Sequence, residues 1–159
     1  MARLISPMRT FRIGDPHGVF PIYSGKGAAL NEARWHEKGQ EVIYTAERYS
    51  LAMLEKLVHH SGVMPPSQHF LEINIPAGTS YEVVTKDTLP DWHLRDGHVS
   101  RAFGSSWLNA NRSALLIVPS RVAREERNVL INPHHPEAKA ITQGLETPIW
   151  WDERLFDPP

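Results

Sequence analysis

Glu55 is a carboxylate set among apolar residues. In the run Leu51-Ala52-Met53-Leu54-Glu55-Lys56-Leu57-Val58-His59 it lies three residues from Ala52 and Val58 and four from Leu51 and His59. On a helix that spacing places it at the border of the apolar stripe rather than on the solvated face. A half-buried carboxylate goes with a partner or a chemical task; the plain alternative is an edge glutamate paired with His59 or Lys56. Arg34 follows a glycine-containing loop, and its planar fork suits a phosphate or a carboxylate, although most loop arginines face water. Arg12 sits between Phe11 and Ile13, where a strand would tie it down. Tyr44, between apolar neighbours, is either a core tyrosine or a ring face for a flat heterocycle.

Metal chemistry finds little support in the pattern. His36-Glu37-Lys38-Gly39-Gln40 opens like a zinc-protease signature but has glutamine where the second histidine belongs. Glu55 and His59 with His134 and His135 offer oxygen and nitrogen donors, but nothing in the sequence brings these segments together, and no metal is expected. The absence of cysteine excludes thiolate nucleophiles, disulfides and cysteine-ligated metals. Ser24-Gly25-Lys26-Gly27 lacks the glycine spacing and the Lys-Ser/Thr pair of a phosphate loop.

The elements that must carry these residues are short. Strands are predicted at residues 11–13, 42–45, 69–76, 81–85, 114–118 and 129–131. In the third of these, Leu71, Ile73 and Ile75 alternate with Glu72 and Asn74, while 114–118 is a continuous apolar run suited to a central strand. One helix is predicted with Thr45 as its cap, Glu47 in its first turn and Leu51, Leu54, Leu57 and Val58 as its buried stripe, ended by Gly62 and Pro65. A second is expected over residues 136–143, and Trp150 and Trp151 are expected to pack on the body. Strands that do not alternate strictly with helices argue for an α+β fold, a mixed β-sheet core with flanking helices.

A length of 159 residues suits one domain, residues 1–159, and 41% hydrophobic with 22% charged residues are globular proportions. Seventeen basic against eighteen acidic residues leave a net charge of -1, which provides no field of one sign to hold a nucleic acid or an anionic bilayer. No stretch approaches the roughly 18 apolar residues of a membrane span. The opening residues do not make a signal peptide, so a cytoplasmic location is expected.

Taken in order, several segments resemble the RES-domain family, the toxin halves of bacterial toxin–antitoxin pairs with Xre-type antitoxins. They are Phe11-Arg12-Ile13, Tyr23-Ser24-Gly25-Lys26-Gly27-Ala28, Ala33-Arg34-Trp35, Val42-Ile43-Tyr44-Thr45-Ala46, Ser50-Leu51-Ala52-Met53-Leu54-Glu55, Trp107-Leu108, Val118-Pro119-Ser120 and the run from Asn128 to Pro136. The resemblance implies a fold like that of diphtheria-toxin-type mono-ADP-ribosyltransferases and consumption of NAD as a substrate. The nicotinamide–ribose bond would be cleaved and ADP-ribose passed to a protein, to water or to phosphate. It further implies that Glu55 is the active-site glutamate, Arg12 and Arg34 bind the anionic part of NAD, and Tyr44 stacks. Ser120 is the first choice for the family serine, ahead of Ser105 and Ser106, and the expected partner is a cognate Xre-type antitoxin. Glu32-Ala33 and His36 depart from the family pattern, which has glycines and an asparagine there. From a different class, the same arginines would suit a non-catalytic binding module for a phosphorylated ligand.

Overall fold

Alternating and continuous apolar runs become strands of one mixed sheet. A computed structural model describes residues 1–156. Its strands are β1 (Ala2–Arg3), β2 (Met8–Gly14), β3 (Ile43–Ala46), β4 (His69–Ile75), β5 (Ser80–Val83), β6 (Leu115–Pro119), β7 (Arg127–Ile131), β8 (Thr142–Gln143) and β9 (Thr147–Pro148), and its helices are α1 (Tyr49–His59) and α2 (His98–Ala110). The strand order is β1-β5-β6-β7-β3-β2-β4-β8, with β9 also on β4. β5 and β6 run parallel and the other pairs are antiparallel.

The sheet curls. Ile73 and Ile75 of β4 share a buried cluster with Leu115 and Ile117 of β6, although β7, β3 and β2 lie between them in the sheet. Such a contact requires the inner face to wrap on itself. The outer face holds Leu116, Val118 and Leu130 against Trp35, Trp92 and Trp107, so β6 and β7 are covered on both sides. That accounts for the unbroken apolar run in β6. α1 docks beside this cluster, with Leu51 and Ala52 against Ile13 and Ala46.

The helices differ from expectation. α1 starts after Arg48, which is still extended; Thr45 belongs to β3, where its hydroxyl donates to the Val129 carbonyl at 2.6 Å. Glu47 precedes the helix and accepts from the Arg127 backbone N–H and Nε. The strand ladder outcompetes the cap because Thr45 is needed in register opposite Val129. Leu51 is fully buried, but Leu54 and Val58 are 41% and 51% exposed, because α1 lies along the sheet and covers it with one narrow face. The helix stops where Ser61 and Gly62 take positive φ, a conformation glycine adopts without strain. α2 gave no apolar stripe in the sequence because its buried face consists of Ser100, Gly104, Ser105 and Trp107. Of residues 136–143, only the first five are helical, as a 3-10 helix rather than an α-helix. This short turn at Pro136–Ala140 is followed by β8, because the edge of β4 recruits Thr142 and Gln143. Trp151 packs at 9% exposure, whereas Trp150 is 77% exposed.

Glu137 in that short turn fastens the sheet's β1 edge. It accepts from the Ser80 backbone N–H at 2.9 Å and hydroxyl at 2.5 Å, and pairs with Arg3 Nη1 at 2.6 Å. Desolvation raises its pKa, but the Ser80 hydrogen bonds and Arg3 outweigh it and bring the carboxyl from its ordinary 4.5 down to about 2. A depressed carboxyl stabilises the fold above its unfolded pKa and loses that contribution as pH falls towards the folded value. Melting temperature should therefore fall between pH 4.5 and 2, and Glu137→Gln should flatten that part of the profile. An unchanged profile in the variant would show that Glu137 is not the titrating fastener.

Candidate active site

A cleft of about 890 Å³ opens between α1, the β2–β3 strands and the loops carrying Arg34 and Arg121, within the usual size range of small-molecule sites. Glu55 reaches it from α1, one helical turn beyond the buried Leu51 and Ala52 that pin the helix. Its Oε1 accepts from Ser120 Oγ and from Asn128 Nδ2, both at 2.8 Å. Oε2 has no partner among the described residues and remains an open acceptor. Ser120 lies just past the end of β6 and Asn128 near the start of β7, so the doubly buried strands aim both donors. The carboxylate is held by neutral donors, which orient it without cancelling its charge.

Arg34 is positioned by its neighbour. Trp35 is 3% exposed in the cluster with Trp92 and Trp107, and Arg34 Nη1 donates to the carbonyls of Trp92 (2.9 Å) and Leu94 (2.8 Å). Burial lowers the Arg34 pKa, Arg121 and Arg101 push the same way, and Asp96 and Glu55 oppose them. An arginine stays charged through such a shift. The loop is braced by a relay: the Trp35 N–H donates to Tyr44 Oη (3.2 Å), Tyr44 Oη lies 2.7 Å from His36 Nδ1, and His36 Nε2 faces the carbonyls of Ala28 (2.6 Å) and Asn31 (2.8 Å). A neutral His36 protonated on Nε2 satisfies every one of these bonds. Burial raises the Tyr44 pKa, so the hydroxyl is a fixed hydrogen-bonding group, and the tyrosine also lines the cleft.

Arg12 also lines the cleft, but Nε donates to the Ile22 carbonyl (2.6 Å) and Nη1 to the Tyr44 carbonyl (2.8 Å). Burial lowers its pKa. Its fork is thus partly committed to the scaffold. The structure therefore brings Glu55, Arg34, Tyr44, Arg12 and Ser120 to one place. It does not bring Ser105 or Ser106 there: Ser105 contacts Glu37 and Gln40, and Ser106 accepts from Arg112. His134 pairs with Glu41, and His135 accepts from the Glu137 N–H in the turn that follows, so neither joins Glu55 and His59. No group of three metal-ligating side chains converges among the described residues.

Three site residues were missed in the sequence. Asn128 had a signal, because the period of two places this amide on the same sheet face as buried Leu130. Arg121 and Arg124 had none, lying on an irregular turn whose direction is set by the strands. With them the cleft wall carries five cationic side chains, Arg12, Arg34, Lys56, Arg121 and Arg124, against the carboxylates Glu32 and Glu55.

A family model for the RES domain matches residues 9–152. The chain belongs to the RES-domain family. Among curated relatives, the Prs ADP-ribosylating toxin of Sphingobium sp. (strain YBL2) is 41% identical over 98% of this chain and 92% of its own. A Toxin Res of Photorhabdus laumondii is 35% identical over 79% of this chain and 82% of its own. In fold, this RES domain is similar to a solved structure, the M. tuberculosis MbcT–MbcA toxin–antitoxin complex. The TM-score is 0.73 at 12% identity, covering 92% of this chain and 86% of that one.

One close approach holds the RES cleft's arginine loop against α2. A Cβ built on Gly104 would meet the Trp35 carbonyl oxygen at 1.9 Å, which no side chain tolerates. Gly104→Ala must push the Arg34–Trp35 segment outward, and it should cost on the order of 1–3 kcal/mol of stability as overpacking. A melt of the variant that matches wild type would refute this contact.

Proposed function

We propose that this RES-domain protein is the toxin half of a toxin–antitoxin pair and uses NAD as substrate, breaking the bond between nicotinamide and ribose. The observation that carries the reading is the Glu55 carboxylate, oriented through Oε1 by Ser120 and Asn128 with Oε2 open, in a cleft with a cationic wall. The 41% identical relative named an ADP-ribosylating toxin and the solved relative bound to an antitoxin support the same reading. A fold related to diphtheria-toxin-type ADP-ribosyltransferases and a single domain over residues 1–159 belong to it.

In this reading the C1′–N bond of NAD breaks with its electron pair leaving on neutral nicotinamide. Positive charge then develops on the ribose, as in glycoside cleavage. Glu55 accepts from a ribose hydroxyl through Oε2 and stabilises that charge. The free N–H groups of Arg34 hold the diphosphate, with Arg12 behind it, and the Tyr44 ring lies against the nicotinamide. Ser120 and Asn128 act through Glu55. The acceptor, a protein side chain, water or phosphate, bonds to C1′ through a nucleophilic atom and releases a proton if that atom carries one. The partner is an antitoxin of Xre type that keeps the cleft closed in the cytoplasm. The Arg34 and Arg12 forks would equally suit a module that binds a phosphorylated ligand without turnover, and the first experiment below separates the two.

Glu55→Gln keeps an acceptor oxygen for Ser120 and Asn128, so it should leave the melting temperature nearly unchanged. Nicotinamide release from NAD, followed by chromatography, should fall at least about a hundredfold, the scale of losing one electrostatic stabiliser. Release at the wild-type rate from the folded variant would remove Glu55 from the chemistry. NAD binding without release by the wild-type protein would favour the binding module. In cells, expression of residues 1–159 alone should halt growth and lower NAD, and co-expression with the adjoining reading frame should restore both. Equal growth in the two cultures with steady NAD would count against the toxin reading.

A further inference from the structure

The segment Trp92-His93-Leu94 acts as a rail for three arginines, through its carbonyls for Arg34 and Arg121 and through the Trp92 ring for Arg124. Arg34 Nη1 donates to the carbonyls of Trp92 and Leu94, Arg121 Nε donates to the His93 carbonyl at 3.3 Å, and the Arg124 guanidinium lies 5.8 Å from the Trp92 ring centroid. These contacts orient the guanidiniums and satisfy few of their donors. Both Nη atoms of Arg121 and the whole fork of Arg124 lack hydrogen-bond partners among the described residues. None of the three arginines has a carboxylate within ion-pair distance there. Their neighbour Arg101, in contrast, is paired with Glu32 at 3.2 Å. Glu125 and Glu126, next in sequence to Arg124, do not line the cleft, and Glu126 faces Arg48 at 3.9 Å.

The turn that presents Arg121 and Arg124 is closed on itself. The Ser120 N–H donates to the Glu126 carbonyl (2.9 Å), the Ala123 N–H to Ser120 Oγ (3.1 Å) and the Glu126 N–H to the Ala123 carbonyl (2.9 Å). Two uncompensated arginines on a rigid turn are prepared for an anion before it arrives. The charge balance says which kind. NAD brings one negative charge per phosphate and a positive pyridinium ring, which leaves much of the five-against-two surplus on the cleft wall unanswered. A phosphate monoester adds about −1.5 to −2 at neutral pH and offers three acceptor oxygens.

We propose that Arg121 and Arg124 form a second anion subsite beside Arg34 that takes a phosphate monoester dianion or its inorganic equivalent. Its place beside a bound dinucleotide rests on the NAD reading, whereas its charge and rigidity do not. Two sources have this chemistry: the 2′-phosphate of NADP, carried by the substrate itself, and free inorganic phosphate.

The test uses the full chain and its Arg121→Gln/Arg124→Gln variant, with Arg121→Lys/Arg124→Lys as a folded control that keeps the charge. Inorganic phosphate titrated alone at constant ionic strength, followed by phosphorus NMR, should bind wild type saturably and the glutamine variant at least about tenfold more weakly, as expected when charge-assisted bonds are lost. The lysine variant should fall between them. Calorimetry with NAD and NADP then separates the sources. NADP binding at least about tenfold tighter than NAD, with the preference lost in the glutamine variant, identifies the 2′-phosphate. Equal affinities alongside saturable phosphate binding identify free phosphate. Dinucleotide binding with neither an NADP preference nor saturable phosphate binding would overturn the subsite, as would a glutamine variant that still binds phosphate like wild type. If neither dinucleotide binds while phosphate still binds through Arg121 and Arg124, the NAD reading falls and the subsite stands.

Discussion

β6 and β7 are buried on both faces, and the geometry of the cleft depends on that burial. Leu115, Ile117, Val129 and Ile131 fill the inside of the curled sheet, while Leu116, Val118 and Leu130 face the tryptophan cluster. Each such side chain contributes about 1.5–3 kcal/mol when fully buried, so a slip of one residue in register would exchange the two faces at a cost the domain could not bear. The strand ends are therefore fixed in space. Pro119 ends β6, Ser120 leaves the sheet at the cleft, and Asn128 re-enters it on β7. The two donors that orient Glu55 are thus attached to the most constrained part of the molecule, while Glu55 itself comes from a helix on the rim.

The cationic wall is arranged differently. Arg34, Arg12 and Arg121 donate to main-chain carbonyls rather than to carboxylates. Carbonyl dipoles fix the direction of a guanidinium but leave its net charge to act on whatever enters the cleft. The cost is burial together with mutual repulsion: burial lowers the Arg34 pKa most, and Arg121 and Arg101 lower it further. Core packing carries that cost: Trp35 is locked between α2 and the sheet, with Gly104 allowing its carbonyl to touch the helix. The residues that depart from the family pattern help to build this loop. His36 ties the Ala28 and Asn31 carbonyls to Tyr44, and its carbonyl accepts from the Ala33 N–H. A buried imidazole can organise a loop as an asparagine amide would, since both combine a donor with an acceptor.

The local patterns were legible because they are short-range. Alternation marked β4, the continuous run marked β6, and the three- and four-residue spacings put Glu55 at the edge of α1's buried face, where the structure has it. The resemblance to the RES family rested on the same kind of information, residues in order along the chain. Where a local signal met a long-range competitor, the competitor won. Thr45 left its cap for a ladder bond to Val129, and Thr142 and Gln143 left a helix for the open edge of β4. α2 was invisible because a face built of serine, glycine and a single tryptophan carries no apolar period.

The sequence by itself determined which residue types were on hand and on which face of its own element each would lie: a carboxylate at a helix border, arginines on a strand and a loop, a serine after a proline. Tertiary structure decided which of them meet. Glu55 is separated from Ser120 by 65 residues and from Asn128 by 73, and Arg34 from the carbonyls it grips by 58 and 60. Contacts across such separations follow from how the sheet curls and which faces are covered, and these depend on packing the entire core at once. No window of sequence contains that information, because periodicity reports only the neighbours that a single helix or strand brings together.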